Sequence, residues 1–403
     1  MPSPSHPEPG SISPRLTRQI ILLSMAAFSS TLSTRISDPI LPQLVGTFSI
    51  TVGEAAQAIS AYALAYGCLQ LFYGPLGDRY GKFRVITIAT IAGLFGALGC
   101  AVAFSFQWLT IFRFLSGATA AALIPLSMAW IGDNVPYERR QQVLAYFLTG
   151  QIFGLIGGQA LGGVFADAIG WRSVFYFQFL TYLLVSILLV IEVKRSPEID
   201  HKVETTDTPV SFHNKIINIF RNSWSQQILI IVFAEGIFLF SALAFVPSFL
   251  HQQFGLSLTM AGISLGMFGI GGFCYTSFAK YFVRFFGERG LSLTGGGLMS
   301  LAFITIILAD RWQWVLPAAW CAGIGYYMLH NTLQTNATQM APESRGTGVS
   351  LFASCFFTGQ SIGVWLASMT IDYFGFYPVF CAAAILLPTI GIVFSIRLKL
   401  KND

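Results

Sequence analysis

The sequence predicts an all-α membrane protein of twelve transmembrane helices in two pseudo-symmetric six-helix bundles. Three observations carry that expectation. The first is composition: of 403 residues, 54% are hydrophobic and only 10% charged, whereas a soluble globular protein carries about 25% charged residues. The second is a series of twelve mainly apolar runs, each close to the roughly 20 residues that a bilayer-crossing helix needs. The third is an internal repeat that relates the two ends of the chain.

The runs, numbered here as spans 1 to 12, fall at about 19–42, 55–76, 83–105, 107–131, 141–164, 173–192, 226–250, 258–282, 290–309, 313–338, 348–370 and 377–397. Short connections join them except at 193–225, a charged and polar stretch that divides the spans six and six. The expected organisation is therefore a tail (1–17), a first bundle (18–192), a linker (193–225), a second bundle (226–398) and a short tail (399–403). Basic residues give the orientation. With the N-terminus in the cytoplasm, nineteen of the 23 Lys and Arg lie inside, Arg172 and Arg311 lie outside, and Arg35 and Arg113 lie within spans. Both termini and the linker are expected to be cytoplasmic. The net charge of +5 is thus membrane topology, and no nucleic-acid partner is expected.

The repeat is specific in its details. TGQIFG at 149–154 returns as TGQSIG at 358–363, and D-x-x-G-x-x-x-V-F at 167–175 returns at 372–380. Pro136, Glu138 and Arg139 are echoed by Pro342, Glu343 and Arg345. Three matches in one order at nearly one offset make spans 4–6 and 10–12 copies in the same orientation. The six cysteines lie in or beside apolar runs without metal-ligand spacing and read as small buried hydrophobes. The five histidines form no H-E-x-x-H pattern, and no G-x-x-x-x-G-K-[ST] loop is present. No cofactor is expected, and the 37 phenylalanines are expected to be mostly lipid-facing.

Between spans 2 and 3 lies GPLGDRYGKFR, residues 74–84. Glycines at 74, 77 and 81 permit a sharp reversal, and Arg79, Lys82 and Arg84 would hold the loop inside and clamp Asp78. With twelve spans and parallel halves, this loop resembles the major facilitator superfamily of secondary transporters, whose repeat architecture is known. Gly74, Leu76, Asp78, Arg79, Gly81, Lys82 and Arg84 all fit the family pattern G-x-L-x-D-R-x-G-R/K-x-R/K. RFLSG (Arg113, Gly117) matches a second signature on span 4. GLIGGQALGG on span 5 matches the third, that of proton-coupled exporters, at Gly154, Gly158, Gly162 and Gly163, but has Gln159 where that pattern has Pro. The resemblance implies alternating access around a central cavity, beside spans 1, 4, 7 and 10. It also implies a gating loop whose Asp78 meets the start of span 11 near Thr347 and Ser350, where a helix N-terminus favours a carboxylate.

Ionisable groups within spans are costly unless paired or facing water, which makes them functional candidates. Arg35 and Asp38 sit three apart on span 1, and Arg113 on span 4 lies at similar depth; with spans 1 and 4 beside the cavity, as the resemblance implies, Asp38 is placed to share two guanidinium groups. The structural alternative for Asp38 is snorkelling to the nearby surface. Glu235 is the deepest acid, a candidate proton carrier or else a structural carboxyl. Tyr326, Tyr327, His330, Asn331 and Gln334 on span 10 are candidates for substrate hydrogen bonding, or a polar seam. Repeat-related Gln151 and Gln360 are candidates to line the cavity from both sides. The four-residue glycine rhythm on span 5 (Gly150, Gly154, Gly158, Gly162) and the glycines of span 8 (Gly262, Gly266, Gly269, Gly272) predict close helix packing, read here as the contact between halves.

The expected function is secondary transport of a small organic molecule by a monomer in the bacterial inner membrane, with protons and the bilayer as further partners. Efflux by proton antiport leads, with uptake symport or sugar-type export kept open by Gln159. An intramembrane enzyme lacks a nucleophile–base pair or metal cluster, and a channel has no need of duplicated halves.

Overall fold

The computed structural model of the protein describes residues 13–196, 198–200, 212–341 and 345–402. The expected tail up to residue 12, linker residues 201–211 and the repeat residues Pro342 and Glu343 lie outside them. Eight helices among the described residues are long and apolar enough to cross a membrane. The longest, Leu258–Leu308, is two spans joined at Gly287, whose φ of +57° breaks the helix. Pro14–Arg35, Val52–Tyr80 and Val315–Gln339 complete the twelve.

Local chemistry sets several boundaries. Ser13 accepts the Leu16 N–H (3.2 Å) with proline at the first helical position. Thr51 and Glu54 form a capping box at the start of span 2. Two spans are less regular than the apolar runs suggest. Span 1, expected to be continuous over 19–42, stops at Arg35 and resumes as Leu41–Phe48. Pro39 is the cause: its ring collides with the carbonyl four residues earlier, that of Arg35, and it has no N–H to donate. Span 4 breaks between Ala120 and Leu123, where Pro125 bears on Ala121 in the same way. Span 7 carries a π-helical turn, Gly236–Phe240.

The first half and the second half meet along two seams, span 2 against span 11 and span 5 against span 8. We call the face with the chain ends the basic face and the opposite one the far face. One apolar core is common to both halves, and the first half joins it from the far face: Leu41, Leu44, Ala55 and Ile59 belong with Leu239, Phe249 and Leu258. Toward the basic face the first half has a separate core around Phe83, Leu126, Trp130 and Phe147. The halves are therefore packed together at the far face and part toward the basic face.

The expected glycine contacts need correction. Span 5 does present Gly150, Gly154, Gly158 and Gly162 on one face, but to span 1 of its own half. A Cβ at Gly150 would lie 2.7 Å from the Ser24 carbonyl, and one at Gly158 would lie 2.8 Å from the Leu32 carbonyl. Span 8 does face the other half: Gly262 lies against the Gln159 carbonyl and Gly269 against Ile156, while Gly272 faces Tyr327 on span 10. The phenylalanines are not mostly lipid-facing either. Phe95, Phe153 and Phe285 are exposed, but Phe83, Phe147, Phe175, Phe245, Phe249, Phe268, Phe303, Phe352 and Phe380 are fully buried.

Candidate functional site

Two pairs of ionisable side chains lie within the membrane-spanning region, one in each half. In the first half the break after Arg35 turns the chain tightly, with Asp38 N–H donating to the Arg35 carbonyl (3.2 Å). Arg35 Nη1 then lies 3.7 Å from Asp38 Oδ2, with the side chains 4% and 0% exposed. Asp38 is thus buried, not snorkelling. Neither of its oxygens has a partner within hydrogen-bonding distance among the described residues. Arg113 lies within electrostatic reach of Asp38 but forms no ion pair with it within 4 Å among the described residues. It donates to the carbonyls of Ser33 (3.0 Å) and Ala58 (3.3 Å) and lies over the Tyr62 ring (4.2 Å), bracing span 4 against spans 1 and 2. Gln159 is buried beside Asp38, so the departure from the family's proline puts an amide next to the acid.

In the second half Glu235, fully buried, receives or shares a hydrogen bond with His330 Nδ1 at 2.7 Å. The imidazole is stacked on Tyr326 (4.8 Å) and tilted against Phe356 (4.8 Å). Directly after Glu235 comes the π-helical turn, a distortion frequent at functional sites. The second carboxylate oxygen of Glu235 has no hydrogen-bond partner among the described residues. Sequence reading placed Glu235 and His330 separately. Their equal depth, each about ten residues from the basic end of its helix, was the available signal.

Phe240, the last residue of the π turn, connects the two pairs and was missed in the sequence. The Arg35 guanidinium lies 3.8 Å above its ring, a cation–π geometry. Phe240 also meets Tyr326 edge to face at 5.3 Å. Contacts thus run without a gap from Asp38 through Arg35, Phe240, Tyr326 and His330 to Glu235, crossing from one half to the other. Gln151, Asn331 and Gln334 are half-buried and Gln360 is buried. None of the four is bonded to either pair among the described residues. Tyr327 packs on Gly272.

The loop after span 2 differs from expectation. The helix runs on to Tyr80 through Pro75, and the reversal is made by Gly81 alone, at φ +93°. Gly74 and Gly77 are helical; a Cβ on Gly77 would strike Leu126 at 2.6 Å, and one on Gly74 would meet nothing within 4 Å. Asp78 pairs with Lys82 (3.1 Å) and is 70% exposed. It is not clamped by Arg79, which lies over Tyr80, and among the described residues it makes no ion pair or hydrogen bond with span 11. Lys82 also binds Asp133 (2.7 Å). Arg84 belongs instead to Asp200, an acid overlooked in the sequence, which accepts the N–H groups of Phe83 (2.9 Å) and Arg84 (3.0 Å) at the start of span 3. A side chain at Gly81 would run into that carboxylate. Gly81→Ala is therefore expected to cost about 1–3 kcal/mol, seen as a lower melting temperature in detergent. Gly74→Ala, helical and with open space around it, is expected to raise the melting temperature slightly, since alanine favours a helix over glycine.

Comparison with known proteins agrees with this architecture. The chain is 24% identical over 383 residues to the uncharacterized MFS-type transporter YwfA of Bacillus subtilis, covering 94% of this chain and 92% of that one. It is 23% identical over 402 residues to the quinolone resistance protein NorA of Staphylococcus aureus, covering 96% and 100%. Among solved structures, the xylose transporter XylE from E. coli in a partially occluded inward open conformation superposes with a TM-score of 0.72 at 13% identity, over 94% of this chain and 97% of that one. The family model of the Major Facilitator Superfamily matches residues 23–359. This chain belongs to the major facilitator superfamily, a family of multi-pass membrane transporters for small molecules.

Proposed function

We propose that the protein exports a small organic molecule from the cytoplasm in exchange for protons, with the basic face cytoplasmic and the membrane a bacterial inner membrane. The observation that carries this reading is the unbroken run of contacts between the Asp38–Arg35 and Glu235–His330 pairs. Each pair holds a carboxyl group that can trade an ionic partner for a proton. A proton taken up by Glu235 weakens its hold on His330, and the stacked Tyr326 and Phe240 carry that change to Arg35 in the other half. Arg35 then shifts between the Phe240 face and Asp38, which biases how the halves rock. The likeness to NorA, named for quinolone resistance, supports export of an organic compound. Gln159 in place of proline favours uptake by proton symport as the second reading. In either direction the loop acid Asp78 would engage span 11 only once the basic face closes. The test is flux in proteoliposomes under an imposed pH gradient against a mixed panel of drugs and metabolites. Accumulation against the proton gradient by exchange supports antiport. Uptake with the protons supports the second reading, and gradient-independent flux of every compound overturns both.

A further inference from the structure

We propose that Asp167 and Asp372, repeat-related acids at the far ends of spans 5 and 11, are paired latches that hold the far face shut. They do so by reaching across to the first turn of a helix in the opposite half. Asp167, in the first half, accepts the backbone N–H groups of Leu258 (3.2 Å) and Thr259 (2.7 Å) at the start of span 8. Asp372, in the second half, accepts the N–H of Gly53 (2.9 Å) and the hydroxyl of Thr51 (2.6 Å) at the start of span 2. Spans 2 and 8 are themselves counterparts, so the two latches are one device built twice.

The first turn of a helix leaves N–H groups without intrahelical partners. The local caps take care of only one each: Ser257 accepts from Met260 (3.2 Å), and Thr51 accepts from Glu54 (3.0 Å). The N–H groups left over at 258, 259 and 53 are those that the aspartates take. The positive end of each helix adds attraction for the carboxylate. Close approach is possible because two residues lack a Cβ. A side chain at Gly163 would overlap the Leu258 carbonyl, and one at Gly53 would overlap Asp372. Below the second latch the seam continues: Ser60 and Ser361 exchange hydrogen bonds across the halves (2.9 Å each way). At the basic face Asp78, the loop acid, bonds within its own half. The far face opens only by breaking both latches, so Asp167 and Asp372 set the balance between the two states of the transport cycle. This assignment rests on alternating access alone and is independent of the solute and of the direction of transport.

The test uses a cysteine-free variant in lipid nanodiscs, where a maleimide reaches both faces. Ser361→Cys reports on the far seam and Gly74→Cys on the basic cleft. Asp167→Ala and Asp372→Ala should each raise the labelling rate at 361 several-fold, the double variant more, and labelling at 74 should fall in step. Asp372→Asn, which keeps one acceptor, should lie between Asp372→Ala and the parent. Gly53→Leu, which leaves both acids in place but blocks the second latch, should reproduce Asp372→Ala. Unchanged labelling at 361 in the double variant overturns the proposal. A rise at 361 without the fall at 74 also overturns it, since local loosening produces that pattern and a population shift does not.

Discussion

Glu235→Gln is expected to leave a folded protein whose transport no longer responds to a pH gradient. The amide fills the same space and can still accept from His330, so packing is retained. It cannot take up or release a proton. Facilitated, downhill movement of the solute should persist while concentrative transport drops to background. The measurement is uptake into proteoliposomes with and without a gradient, compared with the parent protein. Concentrative transport at the parental rate would make Glu235 a structural carboxyl, held by His330 for packing only. His330→Gln should separate the two contributions of the pair. It preserves the carboxyl and removes the imidazole stacked on Tyr326, so concentrative transport should fall while downhill movement of the solute persists.

Arg35→Met should produce the largest loss of stability in the molecule. The guanidinium is the ion-pair partner of Asp38, at 3.7 Å, in a place where neither side chain is more than 4% exposed. Removing one member of a buried pair leaves the other charge uncompensated, at a cost of about 3–5 kcal/mol. The stacking on Phe240 goes as well, which is why Arg35→Lys should not be conservative. Replacing both members, as Arg35→Met with Asp38→Leu, should restore much of the melting temperature in detergent, because the lone charge is gone. Transport should not return. A double variant that recovers stability and transport together would reduce the pair to a scaffold element.

Much of the fold could be read from residues alone, because a bilayer constrains sequence strongly. Apolar runs of near-constant length, the bias of Lys and Arg, and the repeated D-x-x-G-x-x-x-V-F each have one physical reading. What escaped was local. Pro39 and Pro125 sit inside apolar runs, and hydropathy does not register the helix breaks that they impose. Those breaks matter, since the first places Asp38 on a turn instead of a helix face. The charged candidates Arg35, Asp38 and Glu235 were visible because ionisable residues are rare in hydrocarbon. Their partners were less so: His330 and Phe240 acquire meaning only when spans 7 and 10 and the opposite half are brought together. The glycines of span 5 illustrate the same limit. A four-residue rhythm reveals that a face is flat, but not which helix lies on it, and here it is span 1. Asp200 was hidden for the opposite reason, as one acid in a polar linker whose target, the start of span 3, is far away in sequence.

The claim that joins these observations is that movement of solute is tied to movement of protons through the two buried pairs. Proteoliposomes containing a trapped pH-sensitive dye test it directly, with a transported compound added on one side and no gradient imposed at the start. Proton exchange predicts a pH change inside the vesicles that begins with the compound, runs in the direction opposite to it, and vanishes in Glu235→Gln. Flux of the compound with no accompanying pH change would contradict the coupling.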